Sequence, residues 1–181
     1  MRELSLHLLD IAENSIAAGA RTIRICVSED TRKDLLKMSV KDDGKGMDAE
    51  TASSVIDPFV TSRTTRKVGL GIPLLKEAAE LCNGSLSILS EKGKGTLLEV
   101  SFQRSHIDRM PLGDLATTIL HLVVTNPGIH WIFEYSSDDR KFEFDDGPIK
   151  QELDGLSMTE PSVLSVIREM LETGVKDAQM G

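Results

Sequence analysis

The chain has 181 residues, 40% hydrophobic and 28% charged, which is the composition of a folded protein that can bury a core. No apolar run approaches the ~20 residues of a membrane span, the first residues do not resemble a signal peptide, and two distant cysteines make no disulfide framework. We therefore expect a cytoplasmic protein with no membrane contact.

The net charge of −8 is confined to one part of the chain. Residues 1–104 carry 15 acidic and 15 basic side chains, whereas residues 105–181 carry 14 acidic and 6 basic ones. Binding to nucleic acid needs Lys and Arg to neutralise phosphates, so we expect no nucleic-acid partner. The change near Arg104 predicts two units, a domain over residues 1–104 and an acidic appendage over 105–181.

The first unit begins with a predicted helix over residues 3–18, because Leu4, Leu8 and Ile11 recur at helical spacing and Gly19 follows as a stop. Alternating apolar residues predict four strands, over residues 21–28, 35–42, 85–90 and 96–102. Two further helices are expected over residues 49–56 and 72–82, separated by a polar, basic loop over 62–67.

The acidic unit is predicted to form a helix, a hairpin and a second helix. The helix covers residues 112–124, and the hairpin strands cover 129–135 and 141–144. The second helix covers 161–173, with Pro161 at its start and Gly174 just after its end.

One face of the first helix is polar. Glu3, His7, Asp10 and Asn14 are spaced by four, three and four residues, so they share a face. Surface helices commonly have such a face, and simple solvation is one interpretation. Asn in the middle of a helix is unusual, which favours a second interpretation in which the Asn14 amide binds something.

A glycine-rich turn, Asp42-Asp43-Gly44-Lys45-Gly46-Met47, directly follows a predicted strand. Asp42 has the parity of the apolar residues of that strand, so its carboxylate faces the core and needs a hydrogen-bond donor, such as a ligand amino group. Gly44 and Gly46 allow a sharp turn and a close approach to a ligand. A plain Asp-Gly turn is the alternative.

Gly69-Leu70-Gly71 opens a predicted helix just after the basic loop. Free backbone N–H groups at a helix start, together with nearby cations, form an anion site. A simple loop-to-helix junction is the alternative, because a single GxG motif is weakly specific.

The turn Gly93-Lys94-Gly95-Thr96 precedes the last strand of the first unit. Thr96 shares its parity with the apolar residues of that strand, so its hydroxyl is expected to face inward. Taken alone, the motif is a hairpin turn.

Together these motifs resemble, in order and spacing, the ATP-binding domain of the GHKL superfamily, which includes gyrase-type topoisomerases, heat-shock chaperones, histidine kinases and mismatch-repair ATPases. The N box is similar to DIAENS, the G1 box to VKDDGKGM, the F box to DPFVTSR, the G2 box to VGLGI and the terminal turn to GKGT. The resemblance covers about residues 3–104. It implies a two-layer α/β sandwich, the Bergerat fold, to which the C-terminal part adds a small α+β appendage.

The resemblance assigns ligands to these motifs. It implies that Asn14 holds a Mg²⁺ ion on the phosphates of ATP, and an amide oxygen suits that hard ion. Asp42 would accept a hydrogen bond from the adenine amino group, with Thr96 nearby. Gly44, Gly46 and Met47 belong to the same nucleotide-binding set.

For the phosphates, the resemblance implies contacts from the glycine motif and from a lid formed by the basic loop. The glycine motif contributes Gly69, Leu70 and Gly71. The lid cations are Arg63, Arg66 and Lys67.

In the families that the chain resembles, Asp10 occupies the position at which hydrolysing members and the anti-sigma-type serine kinases usually carry Glu, and many histidine kinases carry a neutral residue. A shorter acid there can act as general base through a water molecule, or order the metal only. His7, one turn earlier, is a candidate for orienting Asp10, and a surface histidine is the alternative.

The compact lid with its F box is similar to histidine kinases, whereas ENSIAAGA resembles the mismatch-repair N box. We expect neither the large transducer domain of the mismatch-repair type nor a preceding phosphoacceptor helix. The expected function is a stand-alone kinase or slow ATPase acting on a partner protein. The alternative is a non-catalytic ATP/ADP switch that reports to a partner through its lid and acidic tail. A homodimer is left open.

Overall fold

A computed structural model describes residues 3–57 and 71–179 of the chain. Within these ranges the helices are α1 (Leu4–Ala17), α2 (Ala49–Ile56), α3 (Gly71–Leu81), α4 (Leu115–Thr125), α5 (Asp146–Glu152) and α6 (Pro161–Gln179). The strands are β1 (Thr22–Asp30), β2 (Leu35–Asp42), β3 (Ser85–Glu91), β4 (Gly95–Gln103), β5 (His130–Ser137) and β6 (Arg140–Asp145).

All six of these strands form one mixed sheet in the order β3-β4-β2-β1-β5-β6. Neighbouring strands are antiparallel except β1 and β5, which run parallel from the pair Thr22–His130 to the pair Glu29–Ser137. The hairpin of the acidic unit therefore extends the sheet of the first unit at its β1 edge.

One face of the sheet is buried and the other is polar. Ile23, Ile25 and Val27 of β1 are buried, and their partners Trp131, Phe133 and Tyr135 on β5 are buried on the same face. The opposite face carries ion pairs, including Arg24–Glu134 and Lys37–Glu99. A sheet with one apolar face packs a single layer of helices, so the predicted two-layer α/β sandwich is confirmed.

The N-terminus of α1 is capped by the acidic unit. Glu3, the N-cap residue, makes no side-chain cap. Instead the backbone N–H groups of Leu4 and Ser5 donate to the carbonyl oxygens of Pro111 and Leu112 at 2.9 and 2.8 Å. These bonds satisfy donors that a helix start otherwise leaves free, so residues beyond 104 help to hold the helix that carries Asp10 and Asn14.

Two predictions about the acidic unit need correction. Gly174 does not end the second helix but lies inside α6, because a Cβ at this position would be 2.1 Å from the ring of Phe142 and only glycine allows the helix to approach β6 so closely. The short helix α5 was not predicted. It begins where the Asp145 carboxylate accepts a hydrogen bond from Gly147 N at 2.8 Å. No helix in the described ranges is both long and apolar enough to span a membrane.

Candidate nucleotide-binding site

A cavity of about 340 Å³ lies between α1, α2, α3 and one end of the sheet. This volume is within the range of small-molecule sites. The structure brings together there five of the residues predicted from separate motifs: Asn14, Asp42, Gly46, Met47 and Thr96.

Asp42 ends β2 on the buried face, as its parity predicts, and is 8% exposed. Ser15 Oγ donates to its Oδ2 at 2.6 Å, and Gly44 N donates to its Oδ1 at 2.9 Å. These two bonds offset the cost of burying a carboxylate. Each oxygen keeps a further lone pair, so Asp42 offers the cavity a fixed group that only accepts hydrogen bonds.

Gly44 and Gly46 are required by the fold itself. A Cβ on Gly44 would lie 2.9 Å from Ala18, the C-cap residue of α1, and a Cβ on Gly46 would lie 2.0 Å from the carbonyl oxygen of Glu91. Gly46 also has φ +67°, a conformation that glycine adopts without strain. Of the two, only Gly46 lines the cavity.

Thr96 stands beside Asp42 in the sheet, because the two residues are register partners on β4 and β2. Its hydroxyl lies 2.8 Å from Ser90 Oγ on β3, and the same Ser90 oxygen accepts a hydrogen bond from Met47 N at 2.8 Å. The predicted inward orientation of Thr96 is therefore matched by the structure, and its polar partner is a serine outside the predicted motifs.

Asp10 and Asn14 are both partly buried on α1, one turn apart. Asn14 lines the cavity. The Asp10 carboxylate lies at the start of α3, with Oδ2 3.2 Å from the position that a Cβ on Gly71 would occupy. The first helix and the end of the glycine motif thus meet at Asp10.

His7 is buried, with 4% exposure, so the interpretation of a surface histidine is wrong. Its Nδ1 atom has no hydrogen-bond partner within the described part of the chain. Burial lowers the pKa of His7, and the nearby charge of Asp10 acts in the opposite direction. The polar face of α1 is therefore not simply solvated, since one member of it lies in the interior.

The other predicted phosphate-binding residues, Arg63, Arg66, Lys67, Gly69 and Leu70, lie outside the described residues.

Sequence reasoning missed three polar residues near this site. Ser15 has the helical spacing of the apolar residues Leu8 and Ile11, so nothing in the sequence indicates its hydrogen bond to Asp42. Lys45 lines the cavity, but the motif predicts a role in ligand binding only for its neighbours Gly44 and Gly46. Ser90 gave no signal, because its contacts are with residues of other segments.

A possible metal-binding cluster lies elsewhere, at the start of β5. His130, Asp145 and Asp146 form the one group of His, Cys, Asp and Glu in the described ranges whose ligand atoms are mutually within 4.8 Å. Each member of the group already has a partner in the protein. Asp145 accepts from His130 at 2.7 Å, and Asp146 accepts from Trp131 N at 2.9 Å and pairs with Lys150 at 2.7 Å.

The sheet, the cavity and the sequence motifs are those of an ATPase-type domain, and comparison with known families agrees. Residues 2–106 match the family described as histidine kinase-, DNA gyrase B- and HSP90-like ATPases. The chain belongs to this family, and the curated proteins similar to it include sensor histidine kinases.

Two relatives illustrate the match. The non-motile and phage-resistance protein of Caulobacter vibrioides is 33% identical over 117 residues, which cover 60% of this chain and 14% of that protein. Sensor histidine kinase YvrG of Bacillus subtilis is 29% identical over 101 residues, which cover 54% of this chain and 17% of that protein. The chain thus spans less than a fifth of the length of these two relatives.

Among solved structures, the N-terminal domain of a DNA repair protein superposes with a TM-score of 0.53 at 15% identity, over 80% of this chain and 53% of that one. This similarity reaches beyond residue 106 and concerns the fold alone.

Proposed function

We propose that this chain binds Mg²⁺-ATP in the cavity and acts as a histidine-kinase-like kinase or slow ATPase on a partner protein. The observation that carries the proposal is the buried Asp42 carboxylate, held by Ser15 and Gly44 at the cavity with Thr96 beside it. A group that only accepts hydrogen bonds selects a ligand that donates them, and the amino group of adenine does so.

The phosphates would extend from the base toward Asn14 and the start of α3. Asn14 lines the cavity, and an amide oxygen fits a Mg²⁺ ion, which prefers oxygen ligands and shares its coordination sphere with phosphates. When bound, the ion neutralises charge on the transferring phosphoryl group. Arg63, Arg66, Lys67, Gly69 and Leu70 complete the phosphate site in this proposal.

Asp10 is the proposed general base, acting directly or through a water molecule. Its position supports this role, because the carboxylate lies where α1 meets the start of α3 at Gly71. His7, buried one turn away on α1, is proposed to orient Asp10.

A second candidate is a non-catalytic ATP/ADP switch. The parallel pairing of β5 with β1 favours it, because the acidic unit shares one sheet with the cavity and can transmit its state to a partner protein. We place either function in the cytoplasm, in line with the free thiols of Cys26 and Cys82. A homodimer is compatible with both.

Titration calorimetry with ATP and ADP, with and without Mg²⁺, tests the binding step. We expect affinities in the micromolar to millimolar range, about −8 to −4 kcal/mol. Incubation with radiolabelled ATP and proteins that copurify with the chain then separates the two candidates. Transfer of label or release of phosphate supports the enzyme, binding without either supports the switch, and absence of binding overturns both.

A further inference from the structure

Ser90, on β3, contacts two segments that contribute Met47 and Thr96 to the lining of the cavity. Its hydroxyl oxygen lies 2.8 Å from Met47 N, 2.8 Å from Thr96 Oγ1 and 3.1 Å from the carbonyl oxygen of Gly95. Met47 belongs to the turn after β2, whereas Gly95 and Thr96 begin β4. One side chain on β3 therefore contacts both the turn that carries Met47 and the strand that carries Thr96.

Counting protons fixes the direction of each bond. Met47 N–H can only donate, and the Gly95 carbonyl can only accept. A serine hydroxyl has one proton. All three contacts are hydrogen bonds in one assignment alone: Ser90 accepts from Met47, donates to Gly95 and accepts from Thr96.

We propose that Ser90 is a positioning residue that holds the Thr96 hydroxyl as a hydrogen-bond acceptor toward the cavity and thereby favours adenine over 6-oxopurines. The inference rests on the proposed nucleotide site, and it adds a determinant of base specificity outside the motifs.

In this arrangement the two polar groups at the end of the cavity, Asp42 and Thr96, are both acceptors. Adenine satisfies them with its amino group on Asp42 and a water molecule that donates both to Thr96 and to the ring N1. A 6-oxopurine instead brings a carbonyl oxygen, and two acceptors facing each other leave buried groups unpaired.

Removing the Ser90 hydroxyl releases the Thr96 proton. Thr96 can then rotate and donate into the cavity, where the carbonyl oxygen of a 6-oxopurine accepts it. The loss of Ser90 should therefore weaken discrimination between the two bases more than it weakens nucleotide binding as a whole.

The experiment measures the affinities of the intact chain for ADP and for inosine diphosphate by titration calorimetry. For Ser90→Ala we expect the ratio of ADP to inosine diphosphate affinity to fall about tenfold, which is the size of one redirected hydrogen bond. Ser90→Thr, which restores a hydroxyl, should recover most of the wild-type ratio.

Ser87→Ala is the matched control. Ser87 lies on the same strand, is exposed and faces the opposite side of the sheet, so the ratio should not change. A merely structural role of Ser90 would lower both affinities together and leave their ratio intact.

A ratio within twofold of wild type in folded Ser90→Ala overturns the inference and leaves the proposed function standing. Absence of ADP binding in the wild-type chain overturns both. If circular dichroism shows that Ser90→Ala is unfolded, Ser90→Cys preserves the volume while weakening the hydrogen bonds. Its ratio should fall in the same direction, and an unchanged ratio in that variant also overturns the inference.

Discussion

The hydroxyl of Ser15 donates to the carboxylate of Asp42 across 2.6 Å, and both residues are buried. The bond joins α1 to the end of β2, segments 27 residues apart in the sequence. Because Ser15 directly follows Asn14, this contact fixes the distance between the two residues that are proposed to bind the base and the metal.

Asp42→Asn should abolish nucleotide binding in a calorimetric titration with ADP. The new amide keeps one acceptor oxygen, which the Gly44 N–H requires, and adds an NH₂ group that opposes the amino group of adenine. Asp43→Asn is the matched control, because Asp43 is exposed and accepts from the backbone N–H groups of Arg21 and Thr22 at the start of β1. Undiminished ADP binding in Asp42→Asn would show that Asp42 is only a turn residue.

We expect turnover to be highest in Asp10→Glu, lower in the wild type and lowest in Asp10→Asn. A positioned base contributes ~10²–10⁴ in rate, and a longer carboxylate reaches further toward the attacking group. ATP affinity should stay within about threefold, since the change alters proton transfer rather than ground-state binding. Steady-state phosphate release and phosphotransfer assays measure the rates.

Two further variants show whether the effects of the Asp10 substitutions are specific to Asp10. Asn14→Ala should weaken the Mg²⁺-ATP complex itself, because it removes a metal ligand. Glu13→Gln, on the exposed side of the same helix, should leave rate and affinity unchanged. Equal turnover in all the Asp10 variants would remove Asp10 from the mechanism.

Acidification should destabilise the protein through His7. The pKa of buried His7 is lowered in the folded state, so as the pH falls below about 6.5 the unfolded chain takes up a proton that the folded protein does not. The contribution of neutral His7 to the free energy of unfolding is therefore complete above that pH. It is lost as the pH falls toward the pKa of His7 in the folded protein. Urea unfolding between pH 7.5 and 5.5 measures it.

His7→Gln should show a shallower fall of unfolding free energy over that range than the wild type, because it carries no titrating ring. His121→Gln, a change at an exposed histidine, should keep the wild-type slope. Identical slopes for His7→Gln and wild type would contradict the lowered pKa.

Gly174→Ala should destabilise the fold by about 1–3 kcal/mol, the usual cost of overpacking, although alanine favours helices. The added Cβ would meet the ring of Phe142 at 2.1 Å. Urea unfolding provides the measurement, and combining the change with Phe142→Leu should recover part of the loss. Gly128→Ala, where a Cβ meets nothing within 4 Å, should be neutral, and equal stability of the two alanine variants would contradict this packing argument.

Local signals predicted much of the structure. The bounds of β2 and α2 agree with prediction residue for residue, because alternation marks the strand and Asp48 accepts from Thr51 N to cap the helix. Helix α4 begins at Leu115 rather than at residue 112, because Asp114 is its cap and accepts from Thr117 N.

Contacts between distant segments could not be predicted in the same way. The alternation of β5 identifies a strand but not its partner, so nothing in the sequence showed that it pairs with β1. Likewise, a glycine such as Gly174 after an amphipathic segment predicts the end of a helix. Only the closeness of Phe142 explains why a glycine lies inside α6. In the site, the motifs predicted Asn14, Asp42 and Thr96, whereas the role of Ser90 depends on contacts of β3 with β4 and with the turn after β2.

The parallel pairing of β1 with β5 also has a consequence for synthesis on the ribosome. Arg24 and Glu134, which pair across these strands, are 110 residues apart in the sequence. Until β5 emerges, the nascent chain exposes β1 as an open sheet edge with the apolar side chains of Ile23, Ile25 and Val27, a surface on which other chains can add strands. The protein should therefore depend on chaperones during synthesis, at the stage when β1 is made and β5 is not.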